Sequence, residues 1–157
     1  MSLSKVKEYL KKYKMDNRIM EFDTSTKTVS EAAHNLNCDP ERIAKTMSFD
    51  INDNYIVIVT SGDMKIDNAK YKKEFHTKAK MVKYELVESL IGHEPGGVCP
   101  FGLYENVLIY LDISLKKFNT VYPACGSSNS AIEVSISELE KIVPFVKWID
   151  VCTKKTN

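Results

Sequence analysis

The stretch "AKTMSFDINDNYIVIVTS", Ala44 to Ser61, decides the fold. Met47, Phe49 and Ile51 alternate with Thr46, Ser48 and Asp50, the period of a half-buried strand. Tyr55 to Ser61 is a continuous β-branched run ended by Gly62-Asp63. Asn52, Asp53 and Asn54 between them supply turn-forming side chains, so the two runs read as a hairpin. Upstream, Asp39-Pro40 offers an N-cap and a first-turn proline for a brief helix, which places Lys45 at a helix-to-strand junction.

Working outward, Thr28 and Glu31 match a capping box for a short helix through Ala32, Ala33 and Leu36. Before it, "RIMEFDTSTKTV" (18–29) reads as extended, and Val6, Tyr9, Leu10 and Tyr13 mark an amphipathic N-terminal helix. Downstream, Asp67 to Phe75 and Tyr84 to Ile91 read as helices, the second stopped by Gly92. "VLIYLD" (107–112), "TVYPAC" (120–125), "AIEVS" (131–135) and "FVKWIDV" (145–151) are strand candidates. Asp112 caps the turn after its strand, and Ser135 with Glu138 forms a second capping box ahead of "ISELEKIV". Strands dominate the middle and helices fall irregularly between them. That pattern is α+β, with a mixed, partly barrel-like β-sheet flanked by helices.

The 157 residues read as one domain, without repeat, low-complexity tract or linker. Lys and Arg (22) nearly cancel Asp and Glu (21), which argues against gripping nucleic acid by bulk charge and leaves DNA out as a partner. The chain has no apolar run long enough for a membrane span and no signal-peptide core, so a cytoplasmic protein is expected. The four cysteines, Cys38, Cys99, Cys125 and Cys152, are far apart and read as reduced thiols, with no metal site implied. Lysines between Lys65 and Lys83 read first as a solvated helical face and second as a patch for phosphates.

The segment "HEPGGVCPFG" (93–102) carries the chemistry. Adjacent glycines leave backbone N–H groups approachable, and Pro95 and Pro100 stiffen the flanks, so the amides around Gly96, Gly97 and Val98 form a candidate oxyanion cradle. The spacing is neither a Walker loop nor a dinucleotide fingerprint. On its residues alone the segment reads first as an ordinary turn, and Lys45 as a solvated helix-end lysine.

Five ordered blocks, "SEAAHNLNCDPERIAKTMSF", "IVIVTSGDMKID", "HEPGGVCPFG", "IYLDISL" and "YPACGSSNSAIEVS", resemble the YbaK/EbsC-type family, related to the editing insertion of bacterial prolyl-tRNA synthetases. The resemblance runs from about Arg18 to Val151. It implies a free-standing aminoacyl-tRNA deacylase that hydrolyses the ester between a mischarged, small amino acid and the 3′-terminal adenosine of tRNA-Pro or a related tRNA. The family's lysine falls on Lys45, followed by Thr46 at the substrate, and its GxxxP loop on Gly96, Gly97, Val98, Cys99 and Pro100. Gly126 and Ser127 are expected to wall the pocket, and Met20 and Phe22 to line it. A serine that some relatives carry before that glycine is replaced by Ala124, which removes one hydroxyl contact.

The family is thought to use a hydroxyl of the terminal ribose to orient water, so no protein base and no cofactor are implied. Partners implied are the aminoacyl-tRNA acceptor end and, for delivery, a synthetase or elongation factor. Two alternatives stay open. One is a non-catalytic module that binds tRNA or a synthetase. The other is a cysteine hydrolase with Cys99 as nucleophile and His93, six residues upstream, as its base.

Overall fold

The computed structural model describes residues 2–155. Helix α1 (Ser2–Lys11) buries Val6 and Leu10. The short strand β1 (Met20–Glu21) leads to α2 (Val29–Leu36), whose capping box forms as the sequence indicates: Thr28 accepts from the Glu31 amide, and the Glu31 carboxylate accepts from that of Thr28. Strands β2 (Ile43–Ile51) and β3 (Asn54–Ser61) make the expected antiparallel hairpin, in register from Ala44–Ser61 to Ile51–Asn54.

The continuous apolar run of β3 has a simple cause: both faces are covered. Val57 and Val59 pack into the larger core with α1, Ile109, Leu111 and Val121. Ile56 and Ile58 pack into a second core with Phe49, Tyr71 and Val151. Strand β5 (Leu108–Asp112) runs parallel to β3, and β9 (Trp148–Ile149) parallel to β5. On the other side β6 (Thr120–Pro123) lies parallel to β2, and β8 (Val134–Ser135) closes that edge antiparallel to β6. The mixed six-stranded order β8-β6-β2-β3-β5-β9 curls into a half-barrel, flanked by α1, α2, α3 (Asn68–Phe75), α4 (Val87–Ile91) and α5 (Ile136–Ile142). The α+β reading is therefore observed. No described helix is long and apolar enough to cross a membrane.

Several sequence readings need correction. Asp39-Pro40 opens only a single 3-10 turn, Pro40–Arg42, without a side-chain cap from Asp39. The strand consequently starts at Ile43, and Lys45 lies inside β2 opposite Thr60 rather than at a junction. Tyr84–Leu86 is likewise a 3-10 turn ahead of α4. The run 131–135 splits: β7 (Ser130–Ala131) pairs with β1, whereas β8 pairs with β6, because the chain changes partner at Ile132 and Glu133. The run 145–151 breaks where the Val151 amide turns to the Asp112 carboxylate, 2.9 Å away, instead of to a strand. Beyond it β10 (Cys152–Lys154) pairs with β4 (Met64–Ile66), two strands without a long enough alternation to be read beforehand.

Candidate functional site

Strands β2 and β6 stay paired for only two positions, Ile43–Tyr122 and Ala44–Pro123, and then part. A pocket of about 160 Å³ occupies the gap. Lys45 and Thr46 line it from β2, Tyr122 and Ala124 from the β6 side, and Ser130 and Ala131 from β7. Thr26 to Val29, with Ala32 in the first turns of α2, cover it, and Gly96 and Val98 of the glycine loop close the remaining side.

Lys45 is half-buried, and its Nζ donates to the Met64 carbonyl oxygen. Burial, with Lys155 as a second positive charge nearby, holds its pKa down at about 8, below the usual lysine value. The ammonium thus sits where extra negative charge from a ligand is welcome. Lys27 is exposed; its Nζ reaches the Tyr84 hydroxyl at 3.4 Å and lies 5.6 Å from the centre of that ring.

The glycine loop is more differentiated than its sequence suggests. Gly96 takes φ +90°, a conformation that favours glycine, and lies under the Lys27 side chain. The Gly97 amide, expected to be bare, instead donates to the Glu94 carbonyl oxygen at 3.0 Å, closing a turn. No protein acceptor engages the Gly96 or Val98 amide among the described residues, and both residues line the pocket. Gly97 is needed for close approach: a Cβ there would stand 2.6 Å from the Gly126 carbonyl carbon and the Ser127 nitrogen.

Gly126 and Ser127 therefore brace the glycine loop from behind rather than lining the pocket. The Ser127 hydroxyl bonds Ser130 at 2.6 Å, and Ser130 does line it. Pro100 is buried on the far side of the loop, in a separate depression with Tyr9 and Leu103. Met20 belongs to a neighbouring depression with Arg18 and Glu138. Phe22 is tied through its backbone to Asn129, at 2.8 and 3.0 Å, and is absent from the pocket lining.

Cys99 and His93 do meet, at 3.6 Å, but both are fully buried. His93 Nε2 lies 2.6 Å from the Phe101 carbonyl oxygen, so that nitrogen carries the proton and cannot take one from the thiol. Burial pushes the Cys99 thiol up to about 12 and holds the His93 imidazole below its usual value. This is a structural contact, without a thiolate at neutral pH.

A family model described as "Aminoacyl-tRNA editing domain" matches residues 23–142, a span that contains every element around the pocket. The chain belongs to this family. An uncharacterised Bacillus subtilis (strain 168) protein, YwhH, is 47% identical over 153 residues, covering 97% of this chain and 98% of its own. The proline–tRNA ligase of Bacillus pumilus (strain SAFR-032) is 30% identical over 120 residues, 71% of this chain but only 21% of the ligase. Among solved structures, the hypothetical protein APE2540 superposes with a TM-score of 0.83 at 27% identity, covering 95% of this chain and 99% of that one. A provisionally assigned trans-editing enzyme for prolyl-tRNA synthetase gives 0.85 at 24% identity, over 99% and 98% of the two chains, and shows the shared fold.

Sequence reasoning missed Thr26, Ala32 and Ser130. Of these only Ala32 carried a local signal, since the capping box at Thr28 fixes where α2 begins.

Proposed function

We propose that the protein is a free-standing aminoacyl-tRNA deacylase acting on the acceptor end of a mischarged tRNA, with a small acyl group in the pocket between β2 and β6. One observation carries this reading: a partly buried lysine and two loop residues whose amides have no protein acceptor, Gly96 and Val98, line one small pocket in a chain of the editing-domain family. Water adds to the ester carbonyl carbon, negative charge builds on the carbonyl oxygen, and the Gly96 and Val98 amides stabilise it without reorganising. The bond from the acyl carbon to the ribose oxygen then breaks, the proton from water ends on that ribose oxygen, and free amino acid and tRNA leave.

Lys45 holds the terminal nucleotide by its charge, a positioning role that gains strength from partial burial. Gly97, Gly126, Ser127, Cys99 and Pro100 set the shape of the loop behind these groups. The walls supplied by Ala32, Ala44, Ala124 and Ala131 suit a short side chain. A net charge of +1 gives little grip on the body of a tRNA, so delivery by a synthetase or elongation factor in the cytoplasm is part of the proposal.

The test is hydrolysis of tRNAs charged with Ala, Cys, Ser, Thr or Pro by the native protein and by Lys45→Ala. Clearance of at least one ester above its decay in buffer, lost at least a hundredfold in the variant, is expected. A native protein that clears none of them refutes the reading and leaves a binding module.

A further inference from the structure

Thr26 presents chemistry that the proposed reaction leaves unused. The residue is only 6% exposed, its Oγ1 is buried with no hydrogen-bond partner, and it lines the pocket. Thr46 Oγ1 is also buried and unpartnered, and Thr46 belongs to the same lining. Buried hydroxyls without partners are costly and rare in folded proteins. The neighbouring hydroxyls show that local partners are easily found: Thr28 accepts from the Glu31 amide at 3.1 Å, and Ser130 is bonded to Ser127. Two orphans on one small pocket therefore match a ligand group rather than a protein group.

The strand register adds a third polar group. Ser48 O accepts from the Val82 amide at 3.1 Å and the Asp50 amide donates to Lys80 O at 2.8 Å, so even-numbered residues of β2 turn their main-chain groups away from β3. Thr46 falls between the last pair with β6, at Ala44, and the first contact with residues 80–82. Its carbonyl oxygen thus points into the gap that forms the pocket. Lys45, one residue earlier, borders the same pocket but carries its ammonium to the other face of the strand, onto the Met64 carbonyl oxygen.

Three oxygen acceptors in one gap favour a small hydrogen-bond donor of positive charge. Neither nearby lysine competes: Lys45 Nζ is on Met64 O, and Lys27 Nζ is beside the Tyr84 hydroxyl. An aminoacyl ester brings a single group of that kind, its α-ammonium, next to the carbonyl carbon under attack. Resting on the deacylase reading, we infer that Thr26 and Thr46 clamp the α-ammonium group of the acyl moiety, so that the site selects esters of α-amino acids by their amine. The apolar walls then receive the side chain, and the carbonyl oxygen is left to the loop amides.

The test compares the most rapidly cleaved aminoacyl-tRNA with its des-amino counterpart, propionate standing for alanine, each corrected for its decay in buffer. Thr26→Val keeps the shape and removes the hydroxyl. It is expected to lower kcat/KM at least tenfold for the aminoacyl ester and less than twofold for the des-amino ester, while Thr26→Ser keeps most of the activity. Equal losses on both esters, or no loss on either, overturn the clamp while leaving the deacylase standing. Failure of the native protein on every aminoacyl ester removes the deacylase reading and the clamp with it.

Discussion

Gly97→Ala isolates the contact on which the geometry of the glycine loop depends. An added Cβ would stand 2.6 Å from both the Gly126 carbonyl carbon and the Ser127 nitrogen, and 2.8 Å from the Gly126 oxygen. All three are backbone atoms, and Gly126 cannot yield easily. Its own position is set at φ +91°, and its Cα is pressed against Ser2 and Val6 of α1, where a Cβ would meet the Ser2 oxygen at 2.7 Å. To reach ordinary contact the glycine loop must retreat by roughly 0.8 Å, an overpacking that costs about 1–3 kcal/mol.

In a chain of this size each kcal/mol lowers Tm by about 2–4 °C, so calorimetry should show a fall of about 2–12 °C. Because Gly97 sits between the two amides assigned to the oxyanion, a displacement approaching 1 Å is expected to reduce kcat by about a hundredfold, with a smaller change in KM. A variant with native Tm and native kcat would refute the claim that these two turns are in contact.

Three further outcomes follow from the same structure. Lys45, held at about 8, should lose its charge as pH rises through that value, so kcat/KM corrected for buffer hydrolysis is expected to fall above pH 8, whereas Lys45→Arg should give a lower but level profile to pH 9; a native profile that climbs steadily to pH 9 would show that the charge is not used. The same depressed pKa means that the unfolded chain binds the extra proton between about pH 8 and 10.4, so this residue opposes folding below pH 8 and stability rises with pH across that window. Asp112→Ala strips the acceptor from two buried amides, Ser114 and Val151, each at 2.9 Å, and should cost about 2–5 kcal/mol in denaturant unfolding; a loss under 1 kcal/mol would contradict that role.

The sequence by itself determined the features written within three or four residues of one another. Both capping boxes form at Thr28 and Ser135, Asp112 caps its turn, and Ala44 to Ser61 makes the hairpin. Each is a contest between neighbours along the chain, settled by side-chain type and spacing. The β-branched run of β3 was legible as a strand, whereas the covering of both its faces is a finding of the structure. The ordered blocks pointed to the editing family, which the match over residues 23–142 shows.

Tertiary structure alone decided the site. The pocket exists because β2 and β6 part after two pairs, and nothing in either strand announces where a partner will leave. Thr26 enters it only because its amide is drawn to Ser128 O, more than a hundred residues away, at 2.6 Å. The glycine loop shows the same division: its composition marked a tight turn, but which amide is used up, at Gly97, and which glycine serves close packing depend on the distant Gly126 turn. Long-range contacts of this kind are fixed by packing and by the accounting of every buried polar group, and neither leaves a local trace in the chain.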